Sequence, residues 1–132
     1  NAFSDGVDVD FSDIKFALIS VFNAGNDCLD VSGGVYEVSK IKAENCGDKG
    51  ISVGEKSKMK IDLFEIDNSL IGLSSKDLSI TSIKNFRQKN LKNCFEVAQK
   101  KQEFGGSRLI LNNINCKNNK IDTNSRISFN ES

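Results

Sequence analysis

Apolar and polar residues alternate along this chain in short bursts, and the bursts recur every 22 residues. Val7, Leu29, Ile51, Leu73 and Phe95 fall at that spacing, and two positions on so do Val9, Val31, Val53, Ser75 and Val97. Nine of these ten positions are apolar, where a chain that is 38% apolar would supply roughly four by chance. Between them lie the polar residues Asp8, Asp30, Ser52, Ser74 and Glu96, and just before them the small residues Gly6, Cys28, Gly50, Gly72 and Cys94. Apolar–polar–apolar is the period of a strand with one buried face. The turn entering each strand repeats as well, as NAGN (23–26), NCGD (45–48) and DNSL (67–70).

A second apolar stretch follows each burst: IKFALISVF, VSKIKA and MKIDLFEI, in which Ile19, Ile41 and Leu63 keep the spacing. Residues around them drift, as expected if the intervening turns differ in detail. The best helical candidate, KNFRQKNLKNCFEVAQKK, runs into a strand position of the repeat, so the reading is all-β. Proline is absent, which suits stacked strands whose backbone N–H groups must all pair. Solenoid repeats near this length are leucine-rich repeats or parallel β-helices. Here Asn precedes the strand, and Val, Ile, Leu and Phe interchange freely, which favours the β-helix.

DCLDVSG, DKGISVGEKS and IGLSSKDLS resemble the right-handed parallel β-helix repeats of the pectin-lyase-like superfamily. The predicted fold is one all-β domain over residues 1–132, a right-handed parallel β-helix of about six coils: five in register from Val7 to Val97, and a sixth around Ile121 to Phe129 after an insertion containing EFGGS. The Gly pair in that insertion is expected at positive φ. The superfamily holds pectate lyases, polygalacturonase-type hydrolases, alginate-modifying enzymes and non-catalytic surface modules. The resemblance therefore implies an extracellular or cell-surface setting without choosing among activities.

Composition removes several function classes. Basic and acidic residues balance at 18 each, which disfavours nucleic acid. No apolar run approaches the roughly 18 residues of a membrane span. The absence of an initiating Met fits a processed chain or a piece of a longer one. Histidine is absent, and with it the commonest general base and metal ligand. Flat Thr-x-Thr ladders of an ice-binding face are missing, and aromatic stacking for sugars is thin, with no Trp and Tyr36 the single Tyr.

Stacking at about 4.8 Å per coil converts the repeat into distances. Cys28 and Cys94 share a column three coils apart, about 14 Å, beyond the roughly 7 Å reach of a disulfide. Cys46 and Cys116 sit three coils apart in a neighbouring column, so four free thiols are expected. Asp8 and Asp30 should lie one rung apart, a spacing that suits a bound calcium ion, a retaining glycosidase or a plain solvated face. Glu55 should stack on Asp77 and Gly54 on Lys76, with Asp48 and Lys49 at the mouth of the same rung and Asp27 beside them.

The expected function is a non-catalytic module that binds carbohydrate or a protein partner, or that acts as a spacer, with Asp27, Asp48 and Lys49 as binding candidates and no required cofactor. The alternative is a polysaccharide lyase or glycoside hydrolase acting on acidic polysaccharide through Asp8, Asp30, Glu55, Lys76 and Asp77, with calcium as the cofactor such chemistry would take. The arginines Arg87, Arg108 and Arg126 do not match the pattern of calcium-dependent pectate lyases. Residues 1–48 hold nine acids and three bases, whereas residues 83–120 hold nine bases and two acids. Stacked in order, that becomes an axial charge asymmetry, which raises the expectation of end-to-end self-association.

Overall fold

The 22-residue period becomes a ladder of parallel strands. A computed structural model describes residues 6–10, 12–99, 105–112, 114, 116, 118–121 and 125–130. In chain order the strands are β1 (Val7–Asp10), β2 (Asp13–Ala24), β3 (Leu29–Ser32), β4 (Val35–Cys46), β5 (Lys49–Gly54), β6 (Lys58–Lys76), β7 (Ile80–Ala98), β8 (Arg108–Asn112), β9 (Asn119–Ile121) and β10 (Arg126–Asn130). Val7 pairs with Leu29, Leu29 with Ile51, Ile51 with Leu73 and Leu73 with Phe95, so the columns read from sequence are columns of the fold. Every strand pair is parallel, and no described residue is helical. The result is a β-solenoid of about five turns; among the described residues the sixth coil that the sequence suggests around Ile121 to Phe129 is represented by β9 and β10.

Each coil has three faces. The first is the short strand, β1, β3 or β5, continued by the ends of β6 and β7 and by β9. The long strand supplies the other two, because it bends once: Phe16 pairs with Val38 and Leu18 with Lys40, but no pairing joins Ala17 to Ser39. At that bend two successive side chains, Ser39 and Lys40, turn outward between buried Val38 and Ile41.

The drift after the second apolar stretch has a definite cause. Ile41 pairs with Phe64, not with Leu63. The turn between β5 and β6 is one residue longer than that between β3 and β4, and the following turn is one shorter, which restores Ile51 to Leu73. The longer turn places Lys56 at φ 58°, and the next coil copies it with Asp77 at 52° and Leu78 at 65°. Gly33 holds positive φ, at 55°, and Gly106 does not, so Gly106 does not play the conformational role expected of it.

Inside the coils, Ile51, Val53, Leu73, Phe95 and Val97 are fully buried. Phe64, Phe86 and Phe95 stack with ring centroids 5.5 and 5.0 Å apart. Ser75, the polar exception in its column, is also fully buried, and its hydroxyl is 2.6 Å from that of Ser79 and 3.1 Å from that of Thr81. The hydroxyls satisfy one another, which removes most of the cost of burying them.

The expectation of four free thiols is wrong. Cys28 pairs with Cys46 and Cys94 with Cys116, across Cα distances of 5.3 and 6.5 Å. Comparing cysteines only along columns overlooks that a coil returns beside its own start, so residues 18 and 22 apart in sequence meet within one turn of the solenoid. The same geometry explains the small-residue column. A Cβ at Gly50 would collide with Ile66 Cδ1, and one at Gly72 would lie 2.6 Å from the Cys94 carbonyl. The corner is too tight for a free side chain; Cys28 and Cys94 fit because each is bonded to the residue it faces.

Candidate functional site

The register carries the polar residues of the first face into one line: Asp8, Asp30, Ser52, Ser74, Glu96 and Lys120. One position to the C-terminal side runs the line Val9, Val31, Val53 and Ser75, and beyond it Asp10 pairs with Ser32 and Ser32 with Gly54. The first turn of each coil follows at once. A groove of ≈300 Å³ runs along this edge, lined by Asp8, Asp10, Asp27, Asp30, Ser32, Ser52, Gly54, Glu55, Lys76 and Asp77. It therefore contains all five catalytic candidates, Asp8, Asp30, Glu55, Lys76 and Asp77, together with Asp27.

Their surroundings differ. Asp8 is exposed and Asp30 and Glu55 are half-buried, while Asp77 is buried at 4% exposure by the left-handed turn that carries it. The Asp77 carbonyl accepts the Lys56 N–H at 2.9 Å, tying the turns of adjacent coils together. Higher in the line the face closes over: Ser74 is fully buried and donates to Glu96 Oε1 at 2.8 Å. Asp10 and Ser32 join the groove without having been singled out in the sequence, and the Ser32 hydroxyl donates to Asp10 Oδ1 at 2.6 Å. Reading the repeat one column past Val9 and Val31 would have found them.

Asp27, Asp48 and Lys49 come together as a compact ionic unit. Lys49 Nζ lies 2.6 Å from Asp48 Oδ2 and 3.9 Å from Asp27 Oδ1, with the Lys49 and Asp27 side chains only 8% and 6% exposed. Asp27 Oδ1 also accepts the Lys49 backbone N–H at 3.2 Å. Burial alone would lower the lysine's pKa. The hydrogen bond to Asp48 and the charges of Asp27, Asp48 and Glu96 outweigh it and hold the ammonium above its ordinary value. Lys49 is thus charged and engaged, and only Asp27 of the three also faces the groove.

No known protein family, characterised protein or solved structure matches this chain. The site must be read from its own chemistry. Six carboxylates and one lysine line the groove, so its field is strongly negative and favours cationic groups over anionic ones. Among the described residues no three carboxylates or thiolates converge in a metal-holding arrangement. Opposite charges on successive coils pair on the third face, where Glu65 lies 3.6 Å from Lys40 and 3.4 Å from Arg87. Such exposed pairs contribute about 0–1 kcal/mol each.

Proposed function

We propose that this chain is a non-catalytic β-solenoid module, right-handed and pectin-lyase-like in build, that binds a partner through the groove of its first face. The observation that carries this reading is the lining: six carboxylates with a single lysine, spread over successive coils on a rigid ladder. Such a strip suits a ligand rich in hydroxyl and amino groups, an amino-bearing glycan or a lysine-rich protein segment, and repels a polyuronate. Two disulfides support an oxidising setting, hence a secreted or cell-surface protein. Titration calorimetry with chitosan oligomers and with polylysine peptides tests the reading. Saturable binding that is lost in Asp8→Asn/Asp30→Asn supports it, and absence of binding to either ligand leaves only a spacer role.

A second reading has one specific support: the groove gathers Asp8, Asp30, Glu55, Lys76 and Asp77, the set an enzyme on acidic polysaccharide would use. Following the ultraviolet absorbance of unsaturated product and the release of reducing ends on alginate and pectate, with and without calcium, separates the two. Turnover that disappears in Lys76→Ala would replace the first reading with this one.

A further inference from the structure

The core columns run out uncovered at both ends of the solenoid. Val7 is 37% and Phe16 36% exposed, although their column neighbours Leu29 and Val38 are 1% and 3%. At the other end Ile121 is 51% exposed where Val97, beneath it, is fully buried. The first coil opens into an apolar mouth of ≈200 Å³ lined by Val7, Val9, Phe16, Leu18, Ile19 and Tyr36 among others. Among the described residues β1 is joined to β3 alone and β2 to β4 alone, while β9 is joined only to β7 and β10 only to β8. Among the described residues, two strand edges at each end thus carry no further strand, and such edges can template another parallel strand.

The charges at these ends fall in matching columns. One column begins at Asp8 and ends at Lys120. The other begins at Asp13, passes through Val35, Lys58, Ile80 and Arg108, and ends at Arg126. All four terminal side chains are exposed. Continuing the ladder by one step with a second copy sets Lys120 against Asp8 and Arg126 against Asp13, and lays Ile121 on Val9 and Ile127 on Ile14. A front-to-front contact would instead oppose acid to acid.

We infer that the acidic first coil of one copy docks on the basic last coil of another, extending the parallel ladder on two faces. The contact is heterologous, so it does not close on itself and can propagate. It shares Asp8 with the groove, but its test needs no groove ligand.

Light scattering over a range of concentration and salt tests it. Wild-type mass should rise with concentration at low salt and fall as salt screens the two charge pairs, the Debye length shrinking from about 30 Å at 0.01 M to about 3 Å at 1 M. Lys120→Glu/Arg126→Glu should weaken association at least about tenfold at low salt, since like charges then face each other. Asp8→Lys/Asp13→Lys should do the same, and an equimolar mixture of the two variants should associate again. Circular dichroism checks that both remain folded, and the Lys120/Arg126 variant touches no side-chain hydrogen bond of the described residues. A wild-type monomer at every concentration in low salt overturns the inference, as does failure of the mixture to restore association.

Discussion

The side-chain amide of Asn45 donates to Oδ1 of Asn23 at 2.9 Å, joining the same turn in two successive coils. Asn68 donates to Asn45 in turn, at 3.0 Å, and all three residues hold φ between 55° and 65°. Asparagine meets both demands at once, tolerating the left-handed region and bonding to its neighbours along the axis. Asn45→Ala should therefore lose about 2 kcal/mol, from left-handed strain of about 1–2 kcal/mol and two exposed hydrogen bonds. Asn45→Gly should lose less, since it keeps the backbone conformation. Urea denaturation of the two variants checks the order.

Both disulfides should be present in protein folded under oxidising conditions. Thiol titration of the denatured, unreduced chain should then find no free cysteine. Removing either pair as Cys28→Ala/Cys46→Ala or Cys94→Ala/Cys116→Ala should cost about 3 kcal/mol, the chain-entropy figure for loops of this size. A drop of several degrees in the midpoint of thermal unfolding would register it.

Replacing Lys49 by Met should be among the most damaging single changes, because it removes the buried cation that lies 2.6 Å from Asp48 and 3.9 Å from the buried Asp27 carboxylate. The expected loss is about 3–5 kcal/mol. Lys49→Met/Asp27→Asn should recover more than half of that, since the buried Asp27 charge that Lys49 faced is removed with it. The double variant read against the singles by urea denaturation makes this a thermodynamic cycle.

Tyr36 gives the fold an alkaline limit. Its ring is buried, and its hydroxyl donates to the Ser32 carbonyl at 2.8 Å. Burial, aided by the charges of Asp10, Asp13 and Asp8 and opposed by a backbone hydrogen bond from Ser12, raises its pKa above the ordinary value of 10.0. The unfolded chain thus sheds this proton first, so stability should fall as pH climbs past about 10, by up to ~1.4 kcal/mol per unit, until the folded phenol itself ionises. Ultraviolet titration of the single tyrosine should show late ionisation, and Tyr36→Phe should remove its share of the slope.

The columns of the first face were legible because their period holds at 22 from Val7 to Phe95, each of Val7, Leu29, Ile51 and Leu73 being paired with the next. The Phe64 register was not, because the extra residue among Glu55, Lys56 and Ser57 shifts the later faces by one while leaving the short strand untouched. The disulfides escaped for a different reason. Axial spacing follows from the repeat alone, but which positions meet across a coil depends on where the chain bends, and Ser39 carries no local mark of a bend. The groove was visible in part: Asp8 and Asp30 stand out in the repeat, whereas Ser32 reads as an ordinary turn residue until Asp10 is seen beneath it.

A solenoid pulled by its ends peels one coil at a time, and each disulfide here ties a coil into a hoop. Residues 28–46 and 94–116 can lengthen only when their bonds are cut, so each hides a stretch of chain from tension. At about 3.4 Å per residue, reduction would release roughly 60 and 75 Å of contour. With both bonds intact, the extended contour of the chain is thus shorter by those two lengths than that of the reduced chain.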